Sequence, residues 1–136
     1  MALTAVKRGS NQLRQIGIVV LLLLLAGCQP ALHVELLNDS DETVYAQDVD
    51  KGSVAVSPGG NAILDIYGRH LVVENPQKLS FDLNLPPLEH VHTTRHGLFV
   101  YAVLGKDGLL YLAAKHRDGN LVRLDPQPDG FPLHGK

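Results

Sequence analysis

The sequence predicts an all-β domain, a small antiparallel β-sandwich, with a small β-barrel as the alternative. Three observations support this prediction. From Leu32 onward, short segments in which apolar and polar residues alternate follow one another closely. Turn-forming residues separate these segments, most clearly at Ser57-Pro58-Gly59-Gly60. No segment of this region has the apolar spacing that is typical of an amphipathic helix.

Up to nine segments are predicted as strands, in chain order 32–36, 43–49, 53–56, 62–66, 69–74, 79–85, 98–104, 109–114 and 121–124. The clearest is 79–85, because its apolar residues fall on alternate positions and would share one face. Asp107-Gly108 and Asp118-Gly119 separate the last three segments, so we expect these segments to form an antiparallel meander.

An Asn/Ser/Asp turn before a Thr-Val strand lies between Val34 and Gly59. This part of the chain resembles the beginning of many immunoglobulin-type modules. The resemblance implies an immunoglobulin-like sandwich and carries no information about function.

The N-terminus has the layout of a secretory signal. Lys7, Arg8 and Arg14 carry positive charge, and an apolar run from Ile16 to Leu25 follows, which we expect to form a signal helix. This run is much shorter than the ~20 residues that a membrane-spanning helix needs. Small residues then precede Cys28, the only cysteine of the chain.

The four residues Leu25-Ala26-Gly27-Cys28 match the lipobox, so the N-terminus resembles a bacterial lipoprotein signal. The resemblance implies cleavage before Cys28, a diacylglycerol on the Cys28 thiol, and usually another acyl chain on the new amino terminus. Two or more acyl chains hold a protein stably on a membrane. Because Gln29 rather than Asp follows the cysteine, the resemblance further implies sorting to the outer membrane, facing the periplasm.

These signals divide the chain into four parts. We assign 1–27 to the signal peptide, 28–31 to the acylated cysteine and a short tether, 32–125 to the sandwich, and 126–136 to a tail rich in Pro and Gly. The short tether predicts a domain that stays close to the membrane surface.

Charge and cysteine content exclude several functions. All acidic residues but only part of the basic ones follow the signal, so the exported part is more acidic than the whole chain, whose formal net charge is −2. An acidic domain without a basic run is a poor nucleic-acid binder, because such binding depends on neutralising phosphates. With Cys28 acylated, no thiol remains for a disulfide, a metal or a nucleophile. No Gly-x-Ser-x-Gly context is present, and we predict a domain that is not an enzyme.

The densest group of chemically capable side chains is Glu89-His90-Val91-His92, followed by His96. On a strand, His90 and His92 would point to the same face and could hold one ion of Zn or Cu, with His96 and Glu89 completing the site. If this stretch is helical, His92 and His96 would pair instead. The alternative is a polar loop with solvated histidines.

Other candidate residues carry weaker signals. The four tyrosines could line a binding face or the rim of the core; they are Tyr45, Tyr67, Tyr101 and Tyr111. We predict no functional role for the scattered histidines, which are His33, His70, His116 and His134.

The sequence therefore favours a membrane-anchored lipoprotein whose β-sandwich binds another component of the cell envelope, with an exposed strand edge as one binding mode. A periplasmic metal-binding lipoprotein that uses His90, His92 and His96 is the alternative. A periplasmic enzyme inhibitor is the third possibility.

Overall fold

The computed structural model describes residues 15–16, 32–66, 68–83 and 86–136. The chain divides into two compact units, Met1–Pro30 and Ala31–Lys136. The predicted signal peptide, Cys28 and the tether lie outside the described residues, apart from Gln15 and Ile16, which are helical. The described part contains no helix that is both long enough and apolar enough to cross a membrane.

The described part of the second unit is built from strands. In chain order they are β1 (Leu32–Asn38), β2 (Val44–Asp48), β3 (Gly52–Val56), β4 (Asn61–Ile66), β5 (His70–Asn75), β6 (Gln77–Asp82), β7 (His92–Thr94), β8 (Gly97–Leu104), β9 (Leu110–Lys115) and β10 (Leu121–Arg123). One turn of 3-10 helix, Leu88–His90, precedes β7.

The strands form two sheets. The six-stranded sheet has the order β10-β9-β8-β1-β4, with β7 also paired to β8, and the four-stranded sheet has the order β3-β2-β5-β6. All pairs are antiparallel except β1 and β8, which run parallel. A parallel pair needs a long connection between its strands. Here that connection contains the whole four-stranded sheet, which places the second sheet against the first.

The core lies between the two sheets. Alternate residues of β1 point inward, so Val34 and Leu36 are fully buried, and Leu64 of β4 and Leu112 of β9 join them from the same sheet. Phe81 of β6 is the largest fully buried side chain on the opposite sheet. Burying a side chain of this size stabilises the folded state by about 2 kcal/mol or more. These buried apolar side chains therefore hold the two sheets together.

The predicted fold class is confirmed: the described residues form a small β-sandwich, and the two sheets do not close into a barrel. Each of the nine predicted segments overlaps a strand, and β8, β9 and β10 form the expected meander. Of the run predicted at 79–85, residues 79–82 belong to β6, Leu83 does not, and residues 84–85 lie outside the described residues. Two features were not predicted: the strand β7 and the parallel pairing of β1 with β8, which depends on residues distant in sequence.

The C-terminal segment 126–136 is paired to both sheets. Leu133 forms an isolated antiparallel bridge with Leu110, and Lys136 exchanges two backbone hydrogen bonds of 3.0 Å with Ser80 of β6. The Gln127 amide bonds the backbone of Leu112, accepting from its N–H and donating to its carbonyl, both at 2.9 Å. The segment that composition assigns to a tail is thus packed on the sandwich, because its carbonyls and amides find backbone partners there.

Candidate functional site

The histidine segment does not adopt a single element. His90 ends the 3-10 turn, His92 begins β7, and His96 lies in the turn before β8. His90 and His92 therefore do not share a strand face, and His92 and His96 are not paired on a helix. The break arises because the 3-10 turn rotates the chain immediately before β7.

The four predicted metal ligands contact different partners. Glu89 lies 3.3 Å from His90 Nε2, while the ring of His92 packs on Tyr101 with centroids 5.2 Å apart. His96 uses its backbone carbonyl rather than its ring, accepting a hydrogen bond from His33. Among the described residues, no group of three or more His, Cys, Asp or Glu side chains is placed to hold a metal ion. The predicted Zn or Cu site is therefore not assembled in this part of the chain.

His33, one of the histidines without a predicted role, holds two strands and a turn together. Its Nδ1 contacts the Asp65 carboxylate on β4, and its Nε2 lies 2.7 Å from the His96 carbonyl oxygen. Both partners are acceptors, so both ring nitrogens must carry a proton. The hydrogen bond to His96, opposed by partial burial and aided by Asp65, raises the pKa of His33 above its ordinary value. The imidazolium form thus fits this position.

Glu35 is a buried carboxylate on the outer face of the six-stranded sheet. Its side chain is only 6% exposed. It accepts hydrogen bonds from Asn61 at 3.1 Å and from Lys115 at 3.0 and 3.3 Å. The hydrogen bond and the charge of Glu35 raise the pKa of Lys115. The buried charge is therefore neutralised within the domain rather than left for a ligand.

A small second apolar cluster lies beside this ion pair on the same outer face. Val103, Ala113 and Leu121 are at most 7% exposed, and Tyr101 and Tyr111 pack against them. The Arg123 guanidinium lies 4.0 Å from the centre of the Tyr111 ring and 3.1 Å from Asp39. The polar and apolar side chains of this outer face therefore contact mainly one another.

The three tyrosines that the structure describes do not all lie on one face. Tyr101 and Tyr111 lie on the outer face of the six-stranded sheet, whereas Tyr45 is 48% exposed on the four-stranded sheet. Tyr67 lies outside the described residues. Alternation within each strand fixes the face of a residue, but which sheet a strand joins depends on the topology.

Asp48 connects the two sheets at one corner. Its buried carboxylate accepts backbone hydrogen bonds from Asp50, Lys51 and Asp65 at 2.7 to 2.8 Å. Burial opposes ionisation of this group, but the three N–H donors outweigh it and lower the pKa of Asp48. The arrangement is structural, because all of these contacts go to backbone amides.

An open cleft of about 290 Å³ lies between the sheets at the end where β1 finishes. Val44, Val73 and Leu104 form its apolar floor, and Asp41 and Lys106, joined at 3.2 Å, lie at its rim. The volume is at the lower limit of small-molecule pockets, which begin at roughly 300 Å³.

Sequence reasoning did not single out Glu35, Asp48 or His33. An acidic residue at an alternate strand position is typical of a solvated face, and no local pattern distinguishes these from the exposed carboxylates. The one available signal was His33 within an apolar strand segment, since a polar residue there needs a partner.

No known family model, curated protein or solved structure matches this chain.

Proposed function

We propose that the chain is a membrane-anchored bacterial lipoprotein whose β-sandwich binds another component of the cell envelope and catalyses no reaction. The observation that carries the proposal is Leu25-Ala26-Gly27-Cys28, which ends only four residues before the first strand. After cleavage and acylation at Cys28, the acyl chains would hold the domain on the membrane, and Gln29 favours the outer membrane facing the periplasm.

The length of the connection limits how far the domain reaches. Four residues span at most about 14 Å when fully extended. The end of the sandwich at which β1 begins would therefore lie near the membrane. By strand register, the end of β4 and the beginning of β8 lie at this same end, because Ile66 and Leu98 both pair with Leu32. The cleft and the Asn38–Glu42 turn would face away from the membrane.

Binding rather than catalysis is supported by how the polar side chains are used. Glu35, Asp48 and His33 are all engaged in pairs or backbone contacts within the domain. A buried group that is fully paired stabilises the fold and is a poor candidate for proton transfer to a substrate.

The anchoring is tested by labelling cells with a clickable palmitate analogue and fractionating their membranes. We expect the wild type to incorporate label and to sediment with outer membranes, and Cys28→Ser to do neither. Gln29→Asp serves as a matched control that keeps the lipidation site, and it should remain labelled while shifting to the inner membrane. Label on Cys28→Ser, or an unlabelled wild type, would contradict the proposal.

The binding function is tested by cross-linking the acylated protein in its own membranes and isolating it. We expect one stoichiometric envelope partner that is lost from Cys28→Ser, since the untethered domain loses the local concentration that the membrane provides. Recovery of the wild type alone, at several cross-linker lengths, would count against a binding role.

A further inference from the structure

The unpaired strand edges of the sandwich distinguish one site from the rest. An edge strand presents backbone N–H and C=O groups that no neighbour uses, and proteins usually cover or disrupt such edges. The outermost strands are β4 and β10 in the six-stranded sheet and β3 and β6 in the four-stranded sheet. These edge strands differ in length and in the hydrogen bonds that other parts of the chain make to them.

Two longer edge strands are each hydrogen-bonded at one residue by another part of the chain. The β6 edge is paired with Lys136 through two hydrogen bonds at Ser80. The β4 edge is engaged at Asp65, whose N–H donates to the Asp48 carboxylate at 2.8 Å and whose carbonyl accepts from Val49 at 3.0 Å. β7 and β10 are only three residues long, too short to guide another strand.

Among the described residues, β3 pairs with β2 alone, and at its end the Val56 carbonyl accepts a hydrogen bond from Asn38. The strand is five residues long, contains no charged residue and no proline, and Gly52, Ser53 and Ala55 are exposed. Beside it, toward β4, lies a groove of about 440 Å³ that is lined by Val54, Ala62 and Ile63 together with Glu35, Lys51 and Asn61. The Lys51 ammonium lies 3.5 Å from the Ile63 carbonyl oxygen at this groove. Ile63 is 50% exposed, although it lies in a strand.

We propose that β3 accepts an extended segment of another envelope polypeptide, which adds to the four-stranded sheet as a fifth strand. Backbone hydrogen bonds to β3 would supply the affinity. Apolar side chains at alternate positions of the segment would enter the groove and cover Val54 and Ile63, while the intervening side chains would lie over Ser53 and Ala55. The binding role and the location of the partner in the envelope rest on the proposed function.

The contacts show that β3 and β1 run in the same direction. Val56, at the end of β3, accepts a 2.9 Å hydrogen bond from Asn38, at the end of β1. Gly52, at the start of β3, pairs with Asp48, which contacts Asp65, the partner of His33 near the start of β1. Reversing β3 therefore also reverses β1.

This direction argues against a second copy of the chain as the occupant. An antiparallel pair of β3 strands would point the two β1 strands in opposite directions, whereas two copies anchored in one leaflet must have both β1 starts at the same surface. A parallel pair around a two-fold axis would set identical groups opposite each other, which the slanted bonds of a parallel ladder do not allow. A different polypeptide avoids both conflicts.

The test places a photo-reactive amino acid at Ser53 or Ala55 of the full, acylated protein and irradiates intact membranes. Matched probes go to Lys78, exposed on the tail-paired strand β6, and to Val122, exposed on β10. The attachment sites on the partner are then mapped by mass spectrometry. We expect adducts from Ser53 and Ala55 at about ten times the yield from Lys78, a ratio that about 1.4 kcal/mol of preference produces.

Strand pairing makes a further demand on the attachment sites. When the probe moves by two residues on β3, the site on the partner must also move by two, because paired strands share the same rise per residue. This stepwise shift, within a segment of alternate apolar residues, would support the proposal. Adducts without that shift, adducts to a second copy of the chain, or equal yields from Lys78 would overturn it.

The same probes separate the two proposals. A partner captured from Val122 or Lys78 but not from β3 would leave the binding function intact and overturn the edge as its site. No adduct from any of the four positions would overturn both.

Discussion

The outer faces of the two sheets differ in how their polar side chains are placed. On the six-stranded sheet, Glu35 is buried under Asn61 and Lys115, and Val103 and Leu121 form a packed cluster beside it. On the four-stranded sheet, the outward residues Tyr45, Glu74, Lys78 and Asp82 are exposed, and Gln47, Val72 and Ser80 are half-buried. The first face acts as a second layer of packing, and the second is an ordinary solvated face. Because of this difference, we expect substitutions on the two faces to lower the free energy of unfolding by unequal amounts. The proposed binding edge, β3, belongs to the four-stranded sheet.

The largest effect should come from the corner that joins the sheets. Asp48→Ala removes the acceptor of three backbone N–H groups, so we expect the free energy of unfolding to fall by about 3 kcal/mol. Asp82→Ala, at an exposed position, should cost less than about 0.5 kcal/mol. Urea unfolding followed by circular dichroism measures both, and equal losses would show that Asp48 is not a link between the sheets.

Packing of the outer cluster should have the next largest effect. Leu121→Ala should lower the free energy of unfolding by about 2 kcal/mol, because it leaves a gap against Val103 and Ala113. The neighbouring Val122→Ala is the control: Val122 is 44% exposed, and its truncation should change stability by less than about 0.5 kcal/mol. If the two variants unfold at the same urea concentration, the six-stranded face has no packed second layer.

The ion pair between the buried Glu35 and the exposed Lys115 gives a smaller and matched comparison of two glutamates. Glu35→Ala should cost about 1.5 kcal/mol, since hydrogen bonds to its charge are lost while Lys115 regains water. Glu74→Ala on the solvated face should be within about 0.5 kcal/mol of the wild type. The thermal unfolding midpoints of both variants are measured at one pH. Indistinguishable midpoints would contradict the expected difference in stability between substitutions on the two faces.

The smallest effect should be the pH dependence that His33 contributes. Its pKa is raised in the folded state from 6.5, so its stabilisation is fully present below about pH 6.5 and is lost as the pH rises through the folded-state value. We expect His33→Gln to show a weaker fall in stability than the wild type from pH 6.5 upward. His70→Gln, at an exposed histidine, serves as the comparison variant. A His33→Gln protein with the wild-type slope would refute this role.

The positions of the strands were predictable, but the chemistry of the surface was not. Turn residues such as Pro58 and the Asp-Gly pairs end each strand locally, so a sequence pattern is sufficient to find them. The structure does not bring the predicted metal ligands together, because a 3-10 turn separates His90 from His92 and His96 lies in the next turn. The exposed edge at β3 could not be predicted from the sequence, because a strand lies at the edge of a sheet only if no other strand pairs with one of its sides.

By itself, the sequence determined the class of the domain, the approximate bounds of its strands and the meander at its end, because these depend on residues close together in the chain. Only the tertiary structure decided that β1 and β8 pair in parallel, that Lys136 pairs with Ser80 of β6, and that Glu35 is buried while Glu74 is exposed. Those features join residues far apart in the chain, and alternation along a strand says which face a side chain occupies but not what lies opposite that face.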